Sequence, residues 1–409
     1  MPLKPTRALT LSIAVLAPVW ASAQQVNTFP SPDDALHKRV ELYDALMRGN
    51  HINEGVFMQH VIFPPVGTEK PMVGSQEDCI EVTGEMLAAY CYRYAITQDP
   101  EHRQQCHDIL AGIEKLEKVT GVPGVFARSF NKTDTPLWHE KQHFFPIEWH
   151  ASTSMPGYRW EGDLSSDKFV DLCYMLGLYY DLAADEEHKA IVAGILDRFV
   201  GRVVDYNFKL VDVDNKMTLW GNFCPDLPRQ PLNSLEILAA LKTTWRITGK
   251  DRYRAAYRML IDKHGYDDHA ILAKTIWPDE WNVIWDDKLA CKSFLQLLPH
   301  ETDPSLLNKY TMSLNRHQYT WAQLDYTREP EMWFPMVYAA LTGDRSAVTP
   351  KVIEALKGME GMRRWKSAFP VEQTDGSTIM VEAEQENHAA EIIRNYWFGR
   401  YHGFIDPEW

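Results

Sequence analysis

The chain has 409 residues, 45% hydrophobic and 24% charged, with a formal net charge of −14 at pH 7. No basic stripe offsets that acidity, which excludes nucleic acid and an anionic membrane surface as partners. An acidic sugar stays open, because a pocket needs only a few local Arg or Lys.

The opening stretch "MPLKPTRALTLSIAVLAPVWASAQQ" joins a positive start (Lys4, Arg7) to a short apolar run, Ala8 to Trp20. The A-x-A site Ala21-Ser22-Ala23 follows. This is the pattern of a secretory signal peptide over residues 1–23. The apolar run is too short to span a bilayer, so no membrane is expected after cleavage, and the protein is expected to be periplasmic or secreted. No linker or low-complexity tract divides the rest, so residues 24–409 are read as one domain.

From there the chain repeats a helical hairpin. The first, "CIEVTGEMLAAYCYRYAITQDPEHRQQCHDILAGIEKLEKVTG", breaks at Thr97-Gln98-Asp99-Pro100. The next three break at Ala184-Asp185, at Thr248-Gly249-Lys250-Asp251 and at Thr342-Gly343-Asp344. Each break carries a Gly or Asp cap signal. Within each pair one helix is apolar nearly all round, hence buried, and the other carries charge on one face, hence peripheral. The pattern predicts inner helices near 76–97, 166–183, 231–247, 287–299, 330–341 and 386–398. It predicts outer helices near 34–49, 101–119, 186–207, 251–264, 304–321 and 349–362. Six of each, joined in hairpins, make an all-α (α/α)6 toroid with long rim loops. "LVDVDNKMTLWG", residues 210–221, reads as a small β-hairpin. Its Asp212, Asp214 and Asn215 begin like a calcium loop, but the Gly and distal Glu of that pattern are missing, and a plain turn is preferred.

In such a toroid all inner helices start at one end, where their positive dipole ends converge. The segments that precede them are the longest and most aromatic in the chain, and long loops in compact domains carry function. They hold Trp138, Trp149, Trp160, Trp220, Trp277, Trp281 and Trp285. Aromatic faces stack on sugar rings, although packing of the loops onto the toroid would also account for any one of these residues. Carboxylates accompany them: Asp163 and Asp167, Asp279 and Glu280, Asp325 and Glu329, and Glu384 and Glu386. Glycoside cleavage needs one carboxyl as acid and a second as base or nucleophile. A helix cap or first-turn charge is the competing account of each, and Ser166 as the cap with Asp167 first in the helix suits it well.

Six Cys in an exported chain permit disulfides. Cys91 and Cys106 flank the first hairpin turn at similar height and are the candidate pair; two buried free thiols are the alternative. The 15 His show no metal-ligand spacing. There is no nucleophile elbow, P-loop or dinucleotide fingerprint, and no cofactor or metal is expected.

The hairpins, their TGD-like breaks and the Trp-rich connections resemble the six-hairpin glycosidase superfamily over roughly residues 70–402. Members are glycoside hydrolases, and related toroids are polysaccharide lyases. The stretches "GDLSSDKFVDLCYMLGLYYDLAADEE", "LWGNFCPDLPRQPLNSLEILAALKTTWRITG" and "ETDPSLLNKYTMSLNR" look like segments of bacterial secreted proteins of this architecture. No catalytic motif is carried over residue by residue. In some unsaturated-glucuronyl hydrolases of this superfamily a rim Asp is the acid/base, which implies that Asp163 or Asp167 is the first to test.

The expectation is therefore a carbohydrate-active enzyme, a glycoside hydrolase on oligosaccharides that include uronates. Asp163 and Glu280 are the acid and base candidates, with Asp167 tuning Asp163 by like charge. Trp160, Trp220, Trp277 and Trp281 would stack on sugar. Asn282, Arg328 and His388 would contact polar or anionic groups. A lyase using His150, Tyr206, Asn282, Arg328 or His388, and a glycan-binding protein without catalysis, are the alternatives. Oligomeric state is not legible.

Overall fold

A computed structural model describes residues 29–31, 33–63, 72–73, 78–135, 137–138, 149–226, 231–274, 284–322, 331–372 and 375–409. Their helices are α1 (Leu36–Leu46), α2 (Cys79–Thr97), α3 (Pro100–Lys118), α4 (Ser166–Leu182), α5 (Glu186–Asp205), α6 (Pro231–Thr248) and α7 (Asp251–His264). Then come α8 (Tyr266–Ile271), α9 (Ile284–Leu297), α10 (Pro304–Trp321), α11 (Trp333–Thr342), α12 (Pro350–Gly358) and α13 (Ala390–Tyr401). The sequence placed all six inner and all six outer helices; the short α8, an extra turn after α7, is the addition.

The breaks are made by the residues that announced them. Asp99 caps α3, its carboxylate accepting from the Glu101 N–H at 2.9 Å, with Pro100 in the first turn and Gln98 left-handed at φ 53°. Asp185 caps α5 through the His188 N–H at 3.0 Å. Asp303 and Pro304 start α10 in the same way. Gly343, at φ 78°, ends α11 in a conformation that suits a residue without Cβ.

Inner helices α2, α4, α6, α9 and α11 pack in succession, and α13 packs on α2. Between α11 and α13 the ring is closed by Arg394, whose guanidinium lies 3.8 Å from the centre of the Trp333 ring. The helices α4 and α9 also touch across the axis. Outer helices lie on inner ones: α3 on α2, α5 on α4, α7 and α8 on α6, α10 on α9, and α1 on α13. The face of α3 that does so is Cys106, Ile109, Leu110, Ile113 and Leu116, all buried. Each such aliphatic side chain contributes about 1.5–3 kcal/mol by burial. At Gly112 that face meets the Gly55 backbone so closely that a Cβ would stand 2.4 Å from its carbonyl.

The expected hairpin is present as Lys209–Val211 paired with Met217–Asn222, and Asp212–Lys216 is a plain turn with Asn215 at φ 62°. Three further sheets among the described residues were not expected, the smallest pairing Ile52–Asn53 with Val56–Phe57. A five-stranded sheet runs, in spatial order, Met72–Val73, His60–Phe63, Thr378–Asn387, Arg364–Glu372, Leu137–Trp138. A three-stranded sheet pairs Tyr158–Glu161 with Phe130–Lys132 and Trp149–Ala151. The last two inner helices, predicted to begin near 330 and 386, therefore start later, at Trp333 and Ala390, the second directly behind a strand. Among the described residues no helix is long and apolar enough to cross a membrane.

Candidate functional site

Four inner helices deliver their first residues to one cleft of about 460 Å³. Asp78 and Glu81 come from the start of α2, Asp167 from α4, Trp285 and Lys288 from α9, and His388 and Glu391 from α13. Convergence of helix N-termini favours carboxylates there, each stabilised by the partial positive charge of free backbone N–H groups.

Beneath the carboxylates lies a buried layer of cations. Lys168 bonds Asp78 at 2.6 Å, Asp167 at 2.9 Å and Glu81 at 3.6 Å, tying α4 to α2. Lys288 bonds Glu391 and, at 3.3 Å, Glu331, tying α9 to the last two inner helices. One turn deeper, Lys292 meets Asp171 at 2.5 Å and Glu85 at 3.2 Å, and Arg394 meets Glu85 at 2.5 Å. These cations are nearly inaccessible. Removing one partner of such a pair costs about 3–5 kcal/mol, because the other charge is left buried and unpaired.

The same layer sets protonation. Burial pushes the Asp167 carboxyl up, but Lys168, the Ser165 hydroxyl and Arg128 outweigh it and hold the pKa below the usual carboxylate range. Asp286, in the first turn of α9, behaves oppositely: burial and then the Asp287 charge, with Asp167 adding to it, raise its pKa to about 6. Glu236 on α6 is buried and pushed well above the ordinary range by burial and by the charges of Asp167, Asp286 and Asp171. Burial also lowers His388 to about 4, leaving a neutral imidazole. Two carboxyls whose pKa values are pushed apart, Asp167 downward and Asp286 up to about 6, are what acid–base chemistry on a polar bond requires.

The residues singled out in the sequence fall in different places. Asp167 and His388 line the cleft. Asp163 is not among its lining residues: at φ 56° it clasps the β-hairpin, its Oδ1 accepting from the Leu219 N–H at 2.8 Å and its own N–H donating to Asp212 Oδ2 at 2.7 Å. Its carbonyl accepts from Arg128 Nε at 2.7 Å. The Asp163 carboxylate is thus spent on a backbone donor rather than presented at the cleft. Trp160 is 2% exposed and packed on His150, ring centres 4.4 Å apart, so it has no face to offer a sugar. Trp220 is 54% exposed on the hairpin, outside the cleft lining. Glu386 is buried between Asn50, His51 and Arg364. The N-cap of α4 is Ser165, one residue before the expected Ser166, with its hydroxyl turned to Asp167. Cys91 and Cys106 do face each other across the first hairpin, but their sulfurs stand 3.9 Å apart as unbonded thiols. Glu280, Trp277, Trp281, Asn282 and Arg328 lie outside the described residues, as do Asp279, Asp325 and Glu329.

Sequence reasoning missed Glu81, Glu391, Lys168, Lys288, Asp286 and Glu236. A signal for part of this set existed: α4 begins Ser-Asp-Lys-Phe and α9 begins with Asp-Asp-Lys-Leu after Trp285, the same Asp-Lys step at two inner-helix starts.

No family model and no curated protein matches the chain. Among solved structures it is similar to a glycoside hydrolase family 76 mannosidase from Bacteroides thetaiotaomicron, at 9% identity over 90% of this chain and 98% of that one, TM-score 0.47. It is similar to a cellobiose 2-epimerase from Spirochaeta thermophila, at 11% identity over 90% and 97%, TM-score 0.41. A GH9 protein from Bacteroides ovatus aligns at 10% identity over 84% and 76%, TM-score 0.44.

Proposed function

We propose that the protein is an exported, carbohydrate-active enzyme, a glycoside hydrolase that cleaves an oligosaccharide at this cleft. One observation carries the reading: the starts of α4 and α9, helices in contact across the axis, bring the ionised Asp167 of the cleft lining within electrostatic reach of Asp286, beside the 59% exposed Trp285. Asp286 sits next to the lining residues Trp285 and Lys288 rather than in the lining, and keeps its proton up to about pH 6. Asp286 gives its proton to the glycosidic oxygen as the bond to the anomeric carbon breaks. Asp167 either takes a proton from the attacking water or bonds the anomeric carbon itself, and in that case water then releases the sugar while returning a proton to Asp286. Trp285 offers an aromatic face to a sugar ring. In this reading Asp286 takes the acid role that the sequence suggested for Asp163, and Asp167 the base or nucleophile role; Glu280, the base suggested by the sequence, lies outside the described residues.

A lyase would need an accessible cation or amide to neutralise a uronate carboxylate. Among the described residues the cleft cations are sealed beneath carboxylates, and the lining amides Gln59 and Asn387 already donate to Asp78 and to the His388 carbonyl, so hydrolysis is the better supported reaction. The test is a panel of oligosaccharides assayed for new reducing ends, with ultraviolet absorbance of an unsaturated product as the mark of a lyase. Turnover that survives both Asp167→Asn and Asp286→Asn would sink the assignment, and binding without turnover across the panel would favour a glycan-binding protein.

A further inference from the structure

The cleft has a charge polarity with a consequence for its substrate. Of the groups that line it, Asp78, Glu81, Asp167 and Glu391 have side chains 22–39% exposed, whereas the lining Lys288 is 2% exposed and Lys168, behind the lining, 1%. Glu360 adds a fifth carboxylate to the lining. His388, its pKa lowered to about 4 by burial, adds no charge at neutral pH. The described carboxylates thus outnumber the paired cations by three, and an entering ligand meets oxygen acceptors, not ammonium groups. Lys288 is further covered by Trp285, with Nζ 4.3 Å from the ring centre. A carboxylated or sulfated sugar would enter against like charge, with no free donor cation among the described residues of the lining to receive it. A sugar carrying ammonium would gain charge-assisted hydrogen bonds from the same oxygens.

We infer that the cleft selects a glycan bearing a free amine, a 2-amino-2-deoxy sugar, and rejects uronates. The inference rests on the cleft's being the carbohydrate site proposed above, and it replaces the uronate expectation drawn from the sequence.

The experiment compares binding of three oligomers of matched length: a glucosamine oligomer, its N-acetylated counterpart and a galacturonan. Isothermal titration is run on the native chain, on Asp286→Asn and on Glu81→Gln. The amine oligomer is expected to bind about ten-fold more tightly than the N-acetylated one, a difference of about 1.4 kcal/mol, with the galacturonan weakest. The preference should shrink several-fold when salt is raised from about 0.05 M to about 0.5 M, and again in Glu81→Gln, because it is electrostatic. It should persist in Asp286→Asn, whose turnover is expected to be lost. Galacturonan binding at least as tightly as the amine oligomer overturns the inference, and so does an amine preference indifferent to both salt and Glu81→Gln. Cleavage of neutral glycans with no amine preference overturns this inference and leaves the hydrolase reading standing. Failure to bind any of the three overturns this inference, and turnover on the wider panel then decides the hydrolase reading.

Discussion

Asp167 and Lys168 are neighbours in sequence and ion-paired at 2.9 Å, yet the aspartate side chain is 39% exposed and the lysine 1%. One turns to the cleft and the other to the axis, so a single dipeptide supplies both a reactive carboxylate and the buried charge that keeps it ionised.

Removing the lysine should therefore do two things. Lys168→Met leaves Asp78, Glu81 and Asp167 without their shared cation. Denaturant unfolding should show a loss of about 3–5 kcal/mol. In protein that remains folded, the acidic limb of the pH–rate profile should move upward, because the Asp167 pKa is no longer held down. An unchanged limb would mean that Asp167 does not titrate in turnover.

Asp286 sets the other limb. Its pKa is raised to about 6, so the protonated acid is lost as pH climbs through that value, and activity should decline above it. Asp286→Asn should lower kcat by about 100-fold or more, with little change in substrate binding measured by titration. Retention of the alkaline limb in this variant would remove Asp286 from the acid role.

Glu236 offers a test in stability alone. Its folded pKa lies well above the ordinary 4.5, so folding is penalised as pH rises past 4.5 and the unfolded chain, but not the folded one, gives up the proton. Glu236→Gln removes a charge demand that the native interior resists. At about pH 8 the variant should melt higher than the parent, on the order of 2 °C per kcal/mol relieved, and at about pH 3.5 the two should coincide. A variant that is less stable than the parent at about pH 8, with the two converging at about pH 3.5, would show that the carboxyl is ionised beside a charged partner.

Asp163 separates clasping from chemistry. Asp163→Asn keeps an acceptor for the Leu219 N–H and tolerates φ 56°, so stability and kcat should stay near those of the parent. Asp163→Ala loses the hydrogen bond and strains the backbone, for about 1–3 kcal/mol in a melt. If Asp163→Asn instead abolished turnover while leaving the melt unchanged, the clasp would be an incomplete account of the residue.

Gly112 tests the packing of the first outer helix. Gly112→Ala places a methyl 2.4 Å from the Gly55 carbonyl, which neither backbone can avoid without moving. A loss of about 1–3 kcal/mol or more is expected in denaturant unfolding.

The twelve helices of the toroid were legible because helix period, caps and the contrast between apolar and amphipathic faces are local properties. Thr378–Asn387 was not read, because only "VEAE" within it alternates and its pairing with Arg364–Glu372 and with His60–Phe63 depends on partners far away in the chain. The site was legible as an end of the molecule and not as a set of residues. Asp163 and Asp167 lie four residues apart, and only the fold decides that one grips a hairpin while the other lines the cleft. Trp160 and Trp285 are likewise both tryptophans before inner helices, one sealed against His150 and one open. The Lys residues were passed over because a lysine in an apolar helix reads as a surface group until carboxylate partners are brought in from other segments, two each for Lys168, Lys288 and Lys292.

The closure of the ring has a mechanical consequence. A linear array of helical hairpins has two ends that fray and need polar capping units. Here the last inner helix, α13, packs on both α1 and α2, and the Trp409 carbonyl accepts from the His37 N–H at 2.6 Å and meets His37 Nδ1 at 3.0 Å. No hairpin in such a circle is outermost, so withdrawing any one exposes apolar faces on both of its neighbours. Partial opening therefore carries a double penalty wherever it starts, and the circle should come apart as one unit, with the seam between α1 and α13 the last to form and the first place where an engineered break can be healed by joining the ends.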